Sequence, residues 1–325
     1  DEGFMSGVRF LDDMKIKFSV GKTGVQNFDL GSHANKDLYE TDSYLGSPAI
    51  VHSQLGNRDL KWETTVPYDL GLDFSVLNSA LSGSIAWYRK NTEDLIWDYT
   101  PPSSLAVGTV PRNVGSVRNQ GIELSLRANL LRNQKDWSWE LGLNLAHNSN
   151  KVTHLVEEGA IENGMGITVQ GSGNQVLAEG YAMGAFFGYE YEGLYPDQAT
   201  IDELDAQAVA TGEATVYNSS SDKPGHLWLR DVDGNGYVDN GDRVIIGSPE
   251  ADVTGGLTST LNYKRWSLYT HFGFQIGGEK YYQKTLQNLP SQLTGLVDYN
   301  LYNRWTPDNT DATLPAMTSA TALTT

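Results

Sequence analysis

Cysteine is absent from the 325 residues, which removes disulfides and thiolate metal sites from consideration and is compatible with a bacterial surface protein. No run of 18 apolar residues occurs, so no helix is expected to cross a membrane. The chain opens Asp1-Glu2-Gly3-Phe4, without a methionine, a basic region or an apolar leader. Either a leader has been removed or the sequence begins within a longer protein. Positive charge is scarce: 23 Lys and Arg against 40 Asp and Glu give a net charge of −17, and a nucleic-acid partner is not expected, because phosphates need Lys and Arg clusters. Signatures of catalysis are missing too. There is no Gly-x-Ser-x-Gly elbow and no phosphate loop. The histidines His33, His52, His147, His154, His226 and His271 form no His-Glu-x-x-His and no pair at metal spacing. Carboxylate pairs such as Glu157-Glu158 read as solvated. The chain does not read as an enzyme.

What is present is alternation with a period of two, the mark of strands with one apolar face. It runs through Met14–Val20, Val66–Ser75, Leu81–Trp87, Ile122–Leu130, Trp137–Leu145, Leu257–Tyr263 and Trp266–Ile276. Seven strands of about ten residues follow, the length that crosses a bilayer at a tilt. Pro67 is expected at a strand start or a bulge, because it cannot donate to a ladder. Three links are short, around Asn78-Ser79, Arg132 to Asp136 and Lys264-Arg265; those over 23–63, 90–120, 148–253 and beyond 277 are long. Short and long links alternate, which puts tight turns at one end of an up-and-down barrel and long loops at the other, as outer-membrane barrels are built. A soluble sandwich has no reason to keep that parity. Trp87, Tyr88, Trp137, Trp139, Tyr263 and Trp266 sit near strand ends, where amphipathic rings favour a lipid–water boundary. Seven strands cannot close a barrel, so either further strands lie in the long links or the chain is part of a larger wall. Phe186 to Tyr191 is one candidate for a further strand, and extra crossings within 148–253 must come in pairs.

The run Leu60-Lys61-Trp62-Glu63-Thr64-Thr65 with Gly71-Leu72-Asp73-Phe74 resembles the SusC/RagA family of TonB-dependent outer-membrane transporters. So do Asn113 to Leu124, Gly184 to Gly193, Asp231 to Gly247 and Arg304-Trp305-Thr306-Pro307-Asp308-Asn309, in the family's order across nearly the whole chain. The resemblance implies an all-β fold, part of a transmembrane antiparallel up-and-down barrel that is 22-stranded when complete, with long extracellular loops. It implies TonB-dependent import of a glycan or a peptide across a Gram-negative, Bacteroidota-type outer membrane, in contact with outer-membrane lipid. A SusD-like surface lipoprotein would close the barrel as a lid, and a dimer of importer–lid pairs is implied as well. TonB would pull on an N-terminal segment. The plug, that segment and the final strands are expected to lie outside residues 1–325, all of which read as barrel, with 148–253 as a long extracellular loop region.

Within that region, residues 231–242 fit a twelve-residue calcium loop. Asp231, Asp233 and Asn235 occupy its first, third and fifth positions. Gly236 stands at the sharp turn, Tyr237 offers its carbonyl, and Asp239 and Asp242 take positions nine and twelve. The shorter Asp242 stands where glutamate is usual in helix-flanked loops. Strand-like flanks at Leu227–Leu229 and Val244–Ile246 make this a loop that stiffens, with Ca2+ in a structural role. The same Asp-Gly and Asn-Gly pairs also favour turns without an ion. Tyr189, Tyr191 and Tyr195 are either a stacking platform for a ligand or strand packing. Lys17 and Arg127 are expected to face the lumen. The competing account of the whole chain is a soluble, calcium-dependent, β-rich surface binding module.

Overall fold

The computed structural model describes residues 10–25, 35–44, 46–99, 110–132, 134–156, 167–168, 174–281 and 303–316. In chain order the elements are β1 (Leu11–Val20), β2 (Thr23–Val25), β3 (Leu38–Tyr44), β4 (Ser47–Gln54), β5 (Glu63–Val76), β6 (Leu81–Tyr99), β7 (Val110–Leu131), β8 (Trp137–Leu155), β9 (Ile167–Thr168), β10 (Gln175–Leu177), β11 (Ala185–Tyr189), β12 (Tyr191–Leu194), α1 (Gln198–Thr211), β13 (Leu227–Leu229), β14 (Arg243–Gly247), β15 (Val253–Tyr263) and β16 (Trp266–Ile276). They fall into two compact units, 1–184 with 248–279 and 185–247 with 280–325.

The first unit is built on one antiparallel sheet in the order β1-β5-β6-β7-β8-β15-β16, with β2 continuing the line of β1 along β5. These seven strands are the seven that the alternation marks. Neighbours follow one another along the chain, except that β1 is followed by β5 across a link holding β2, β3 and β4, and β8 by β15 across the 156–252 link. The register turns the alternation into rows. Ile16, Leu72, Ile85, Leu124, Leu145, Gly255 and Phe274 lie side by side across all seven strands, as do Met14, Phe74, Gly83, Leu126, Leu143, Leu257 and Phe272. Between them, on the other face, runs the row Lys15, Asp73, Ser84, Ser125, Asn144, Gly256 and Gly273. Because side chains alternate across a sheet, one whole face is apolar and the other polar. The apolar face is bare: Ile16 and Phe18 are 67% and 69% exposed.

Among the described residues, two of the short links are tight turns. Leu77, Asn78 and Ser79 all have φ near +60°, and Lys264 at φ +52° opens the two-residue turn from β15 to β16, matching the right-handed twist of the strands it joins. Pro67 sits opposite the break between β1 and β2, where Gly21 donates to its carbonyl at 3.3 Å; the gap accommodates its missing N–H. At the short-turn end Trp137 and Tyr263 stack with ring centroids 4.2 Å apart, and Trp266 pairs with Tyr263 on the same face. Tyr88 departs from the expected girdle. It pairs with Asp69 and Gly121 on the polar face, and its hydroxyl donates to Asn148 Oδ1 at 2.6 Å. A Cβ on Gly121 would meet that hydroxyl at 2.6 Å, so only glycine admits the ring there.

The strands outrun the expectation at the other end. β6 continues through Tyr99 and β7 starts at Val110, so most of the link expected over 90–120 is strand, and residues 100–109 lie outside the described ones. Likewise the first eight residues of the region expected over 148–253 continue β8. The alternation hides this because bulges between Thr92 and Ile96 and at Ser116/Val117 shift the period, with Asp94 at φ +57°. Toward this end the apolar side chains change face: Val117 and Val152, still in the register of the polar rows, form a buried cluster with Leu155 and Leu177, with Leu95, Trp97 and Met183 against it. Asn113 ties this end together. Its amide donates to the carbonyls of Lys61 and Asp94, and its Oδ1 accepts the Lys61 N–H at 2.8 Å.

The second unit is of another kind. Phe186 to Tyr189 does form a strand, β11, but it pairs antiparallel with β14 instead of joining the seven-stranded sheet. β12 pairs with β13. Helix α1 is capped by Asp197, which accepts the Thr200 N–H, and ends at Gly212 with φ +80°. Both signals stand in the sequence, yet the strand pattern on either side obscures them.

Candidate functional site

The calcium-type loop lies between β13 and β14. Its chain path is set by glycines at φ +76° (Gly234) and +96° (Gly236), which L side chains resist, and by a turn of 3-10 helix over Asn240–Asp242. Asp239 and Asp242 close that turn as a capping box. The fold brings carboxylate oxygens of Asp231, Asp233 and Asp242 within 4.8 Å of one another. Ligands at about 2.3–2.6 Å around one calcium ion sit at such separations, so the donor set fits the ion.

Backbone N–H groups aim the carboxylates. Asp231 accepts from Gly234 and Gly236 at 2.7 and 2.8 Å. Asp233 accepts from the Asn235 N–H at 2.9 Å, and the Asn235 amide reaches Asp233 Oδ2 at 3.2 Å. Asn235 Oδ1 in turn accepts from Tyr237 at 3.0 Å. A Cβ on Gly241 would meet Asp239 Oδ1 at 2.9 Å and Asp233 Oδ2 at 3.0 Å, which places Asp239 beside the same cluster. Asp242, fully buried, accepts from Val232 and Asp233 through Oδ1 and from Asp239 through Oδ2. Tyr237 spends its N–H on Asn235 and points its hydroxyl at Glu213; its carbonyl is the group that the spacing assigns to a cation. All six residues of the sequence motif are thus contiguous, with three carboxylates drawn together.

One residue outside the motif holds it in place. The Tyr217 hydroxyl donates to the Leu229 carbonyl at 3.0 Å and accepts the Asp231 N–H at 3.1 Å, while its carbonyl accepts the Val238 N–H at 2.6 Å. Asp205 on α1 accepts the Tyr217 N–H at 2.7 Å, which links the loop to the helix. Burial pushes the Tyr217 phenol above its ordinary range. Nothing in the sequence around Tyr217 marks this role, because it depends on two distant stretches meeting.

Of the three tyrosines considered as a platform, Tyr195 is 1% exposed and stacked on Trp228, with ring centroids 5.9 Å apart. Its phenol is held far above the usual range, first by burial and then by the Asp222 carboxylate. It is packing, not platform. Burial likewise raises the Asp222 carboxyl, with His226 Nδ1 at 3.7 Å. Tyr189 is half-buried, and Tyr191 is exposed. In the first unit, Lys17 and Arg127 fall on the polar face, paired with Asp73 and Glu140 respectively; Lys17, not Arg127, lines a hollow of about 820 Å³ reached also by Asp69, Tyr88, Lys90 and Glu123.

Residues 6–222 match the family model of the TonB dependent receptor-like β-barrel. The TonB-dependent receptor P3 of Formosa agariphila is 32% identical over 318 residues, covering 97% of this chain and 30% of that protein. The TonB-dependent receptor SusC of Bacteroides thetaiotaomicron is 29% identical over 321 residues, covering 93% of this chain and 29% of its own length. Among solved structures, the RagAB peptide transporter superimposes with a TM-score of 0.73 at 23% identity, over 97% of this chain and 32% of that one. This chain therefore spans about 30% of the length of the curated relatives it matches.

Proposed function

This chain belongs to the TonB-dependent receptor-like β-barrel family, and from that premise we propose that the complete protein imports a nutrient, a glycan or a peptide, across an outer membrane. The energy comes from TonB, and a SusD-like lipoprotein serves as the lid. One observation carries the reading: seven strands of one sheet whose register gathers the large apolar residues in rows on a single bare face, with polar residues on the other. In water such a face is a liability. Against hydrocarbon it is the requirement, with the polar face lining a lumen. A soluble binding module supplies no partner for that face. A peptide cargo is supported by the similar solved structure, a peptide transporter; a glycan rests on the family resemblance alone. The reading is of a transporter and not an enzyme.

Calcium enters as a structural ion. Asp231, Asp233, Asn235, the Tyr237 carbonyl, Asp239 and Asp242 would hold it, and its charge would offset the repulsion among the converging carboxylates. Tyr217 would carry that order to α1.

The test is to tag the native protein, separate the membranes and extract in mild detergent. Recovery from the outer-membrane fraction with a lipidated partner, by native mass spectrometry, is the expected result. A detergent-independent species in the soluble fraction, with no partner, would overturn the transport reading in favour of the soluble module.

A further inference from the structure

On β6 and β7 the apolar rows end, toward the long links, at Trp87 and Ile122, while on β1 and β5 they run on through Val20, Tyr68 and Val66. One step further along the same face, register aligns Tyr68, Arg89, Gln120 and Ser149; the next step aligns Val66, Asn91, Arg118 and Lys151. Alternation keeps both rows on the lipid side. Three cations from the adjacent strands β6, β7 and β8 therefore gather directly above the apolar band.

Their surroundings are unusual for like charges. Arg118 Nε and Arg89 Nε both donate to the single oxygen Asn91 Oδ1, at 3.1 and 3.5 Å. Among the described residues no carboxylate lies within ion-pair distance of Arg89, Arg118 or Lys151. The exposed Glu93, one row further out on this face, does not reach them. Two guanidinium groups share one neutral acceptor, and most of their five N–H donors each remain for other partners. Beside hydrocarbon, solvent screening of that repulsion is weak.

The depth matches a headgroup. From Trp137 to His147, the partner of Ile122, the strand covers about 34 Å at ~3.4 Å per residue. A tilt of about 35–45° projects this to ~24–28 Å, close to the apolar band of an outer-membrane barrel. The cation rows thus lie immediately outside the hydrocarbon, at the end of the long links, which is the outer side in such barrels. Tyr68 and Trp87 flank them, as aromatic rings do at this level.

We propose that Arg89, Arg118 and Lys151 bind the phosphate of a phosphorylated glycolipid in the outer leaflet, whose acyl chains lie against the rows below. The Arg fork matches phosphate oxygens in pairs, and Asn91 holds the two forks side by side. The site rests on the barrel reading above, which places this face in lipid.

The full-length protein is reconstituted in phosphatidylcholine nanodiscs with lipid A, or with lipid A stripped of its phosphates, and retained lipid is read by native mass spectrometry. The wild type is expected to prefer the phosphorylated form by about tenfold. In R89Q/R118Q the preference should fall to near parity, with R118K between, while heat-modifiable migration on gels stays unchanged. Millimolar inorganic phosphate should not displace the lipid. Equal retention of both lipids by the wild type, an undiminished preference in R89Q/R118Q, or displacement by free phosphate overturns the site. Failure of the wild type to enter nanodiscs overturns the barrel reading instead.

Discussion

A carboxylate cut off from water is tolerable only if its lone pairs are used, and Asp242 uses them on three backbone N–H groups. It is the structural member of the calcium-type loop. Asp231 and Asp233 are more open and are the members whose charge matters most to an ion. Replacing them isosterically should separate the two roles. In D231N/D233N the loop is expected to lose calcium-dependent protection of residues 231–242 from amide exchange, with little change in the calcium-free state. D242A should expose the loop with or without calcium, at a cost of about 3 kcal/mol. Protection that is indifferent to calcium and to a chelator in the wild type would show the motif to be an acidic turn.

For a strand in this sheet, the same substitution has opposite consequences on neighbouring residues. Leu124 lies in an apolar row and Ser125 in a polar one. An arginine at Leu124, near the middle of the band, should cost about 2–4 kcal/mol, read as lowered outer-membrane yield and lost heat-modifiability. S125R, facing the lumen, should leave folding nearly unchanged. Equal tolerance of both changes would mean that no lipid contacts the apolar face. The element scale also explains what the alternation could not show. Toward the ends of β6, β7 and β8 the apolar residues move to the other face, Val117 and Val152 already ahead of the bulges that follow, so a pattern search stops at the boundary where lipid gives way to loops, although the strands do not. Helix α1 was hidden for a different reason: its cap and terminal glycine are visible, but only Ile201 and Ala208 are buried, too few to print a helical stripe.

Among the described residues, β1 and β16 are the edges of the sheet. Unpaired backbone is costly in hydrocarbon and prone to pairing with other chains in water. Expressed by itself, this stretch is therefore expected to give aggregates and no heat-resistant monomer in detergent, whereas the full-length protein yields one. A stable, monodisperse 325-residue species in plain buffer would contradict the partial-barrel architecture.

The sequence by itself determined the seven strands, the alternation of tight and long links, and the spacing that brings Asp231, Asp233 and Asp242 into one loop. Each of these is local: period two, turn residues and motif spacing act between residues close along the chain. Only the tertiary structure decided which rows those strands make, that Phe186 to Tyr189 belongs to a separate small unit, that Tyr195 is buried, and that Tyr217 clamps Asp231. It also brought Arg89, Arg118 and Lys151 onto one face above the apolar band. These facts depend on register and on contacts between residues far apart in sequence, and a one-residue slip in pairing would move each side chain to the opposite face.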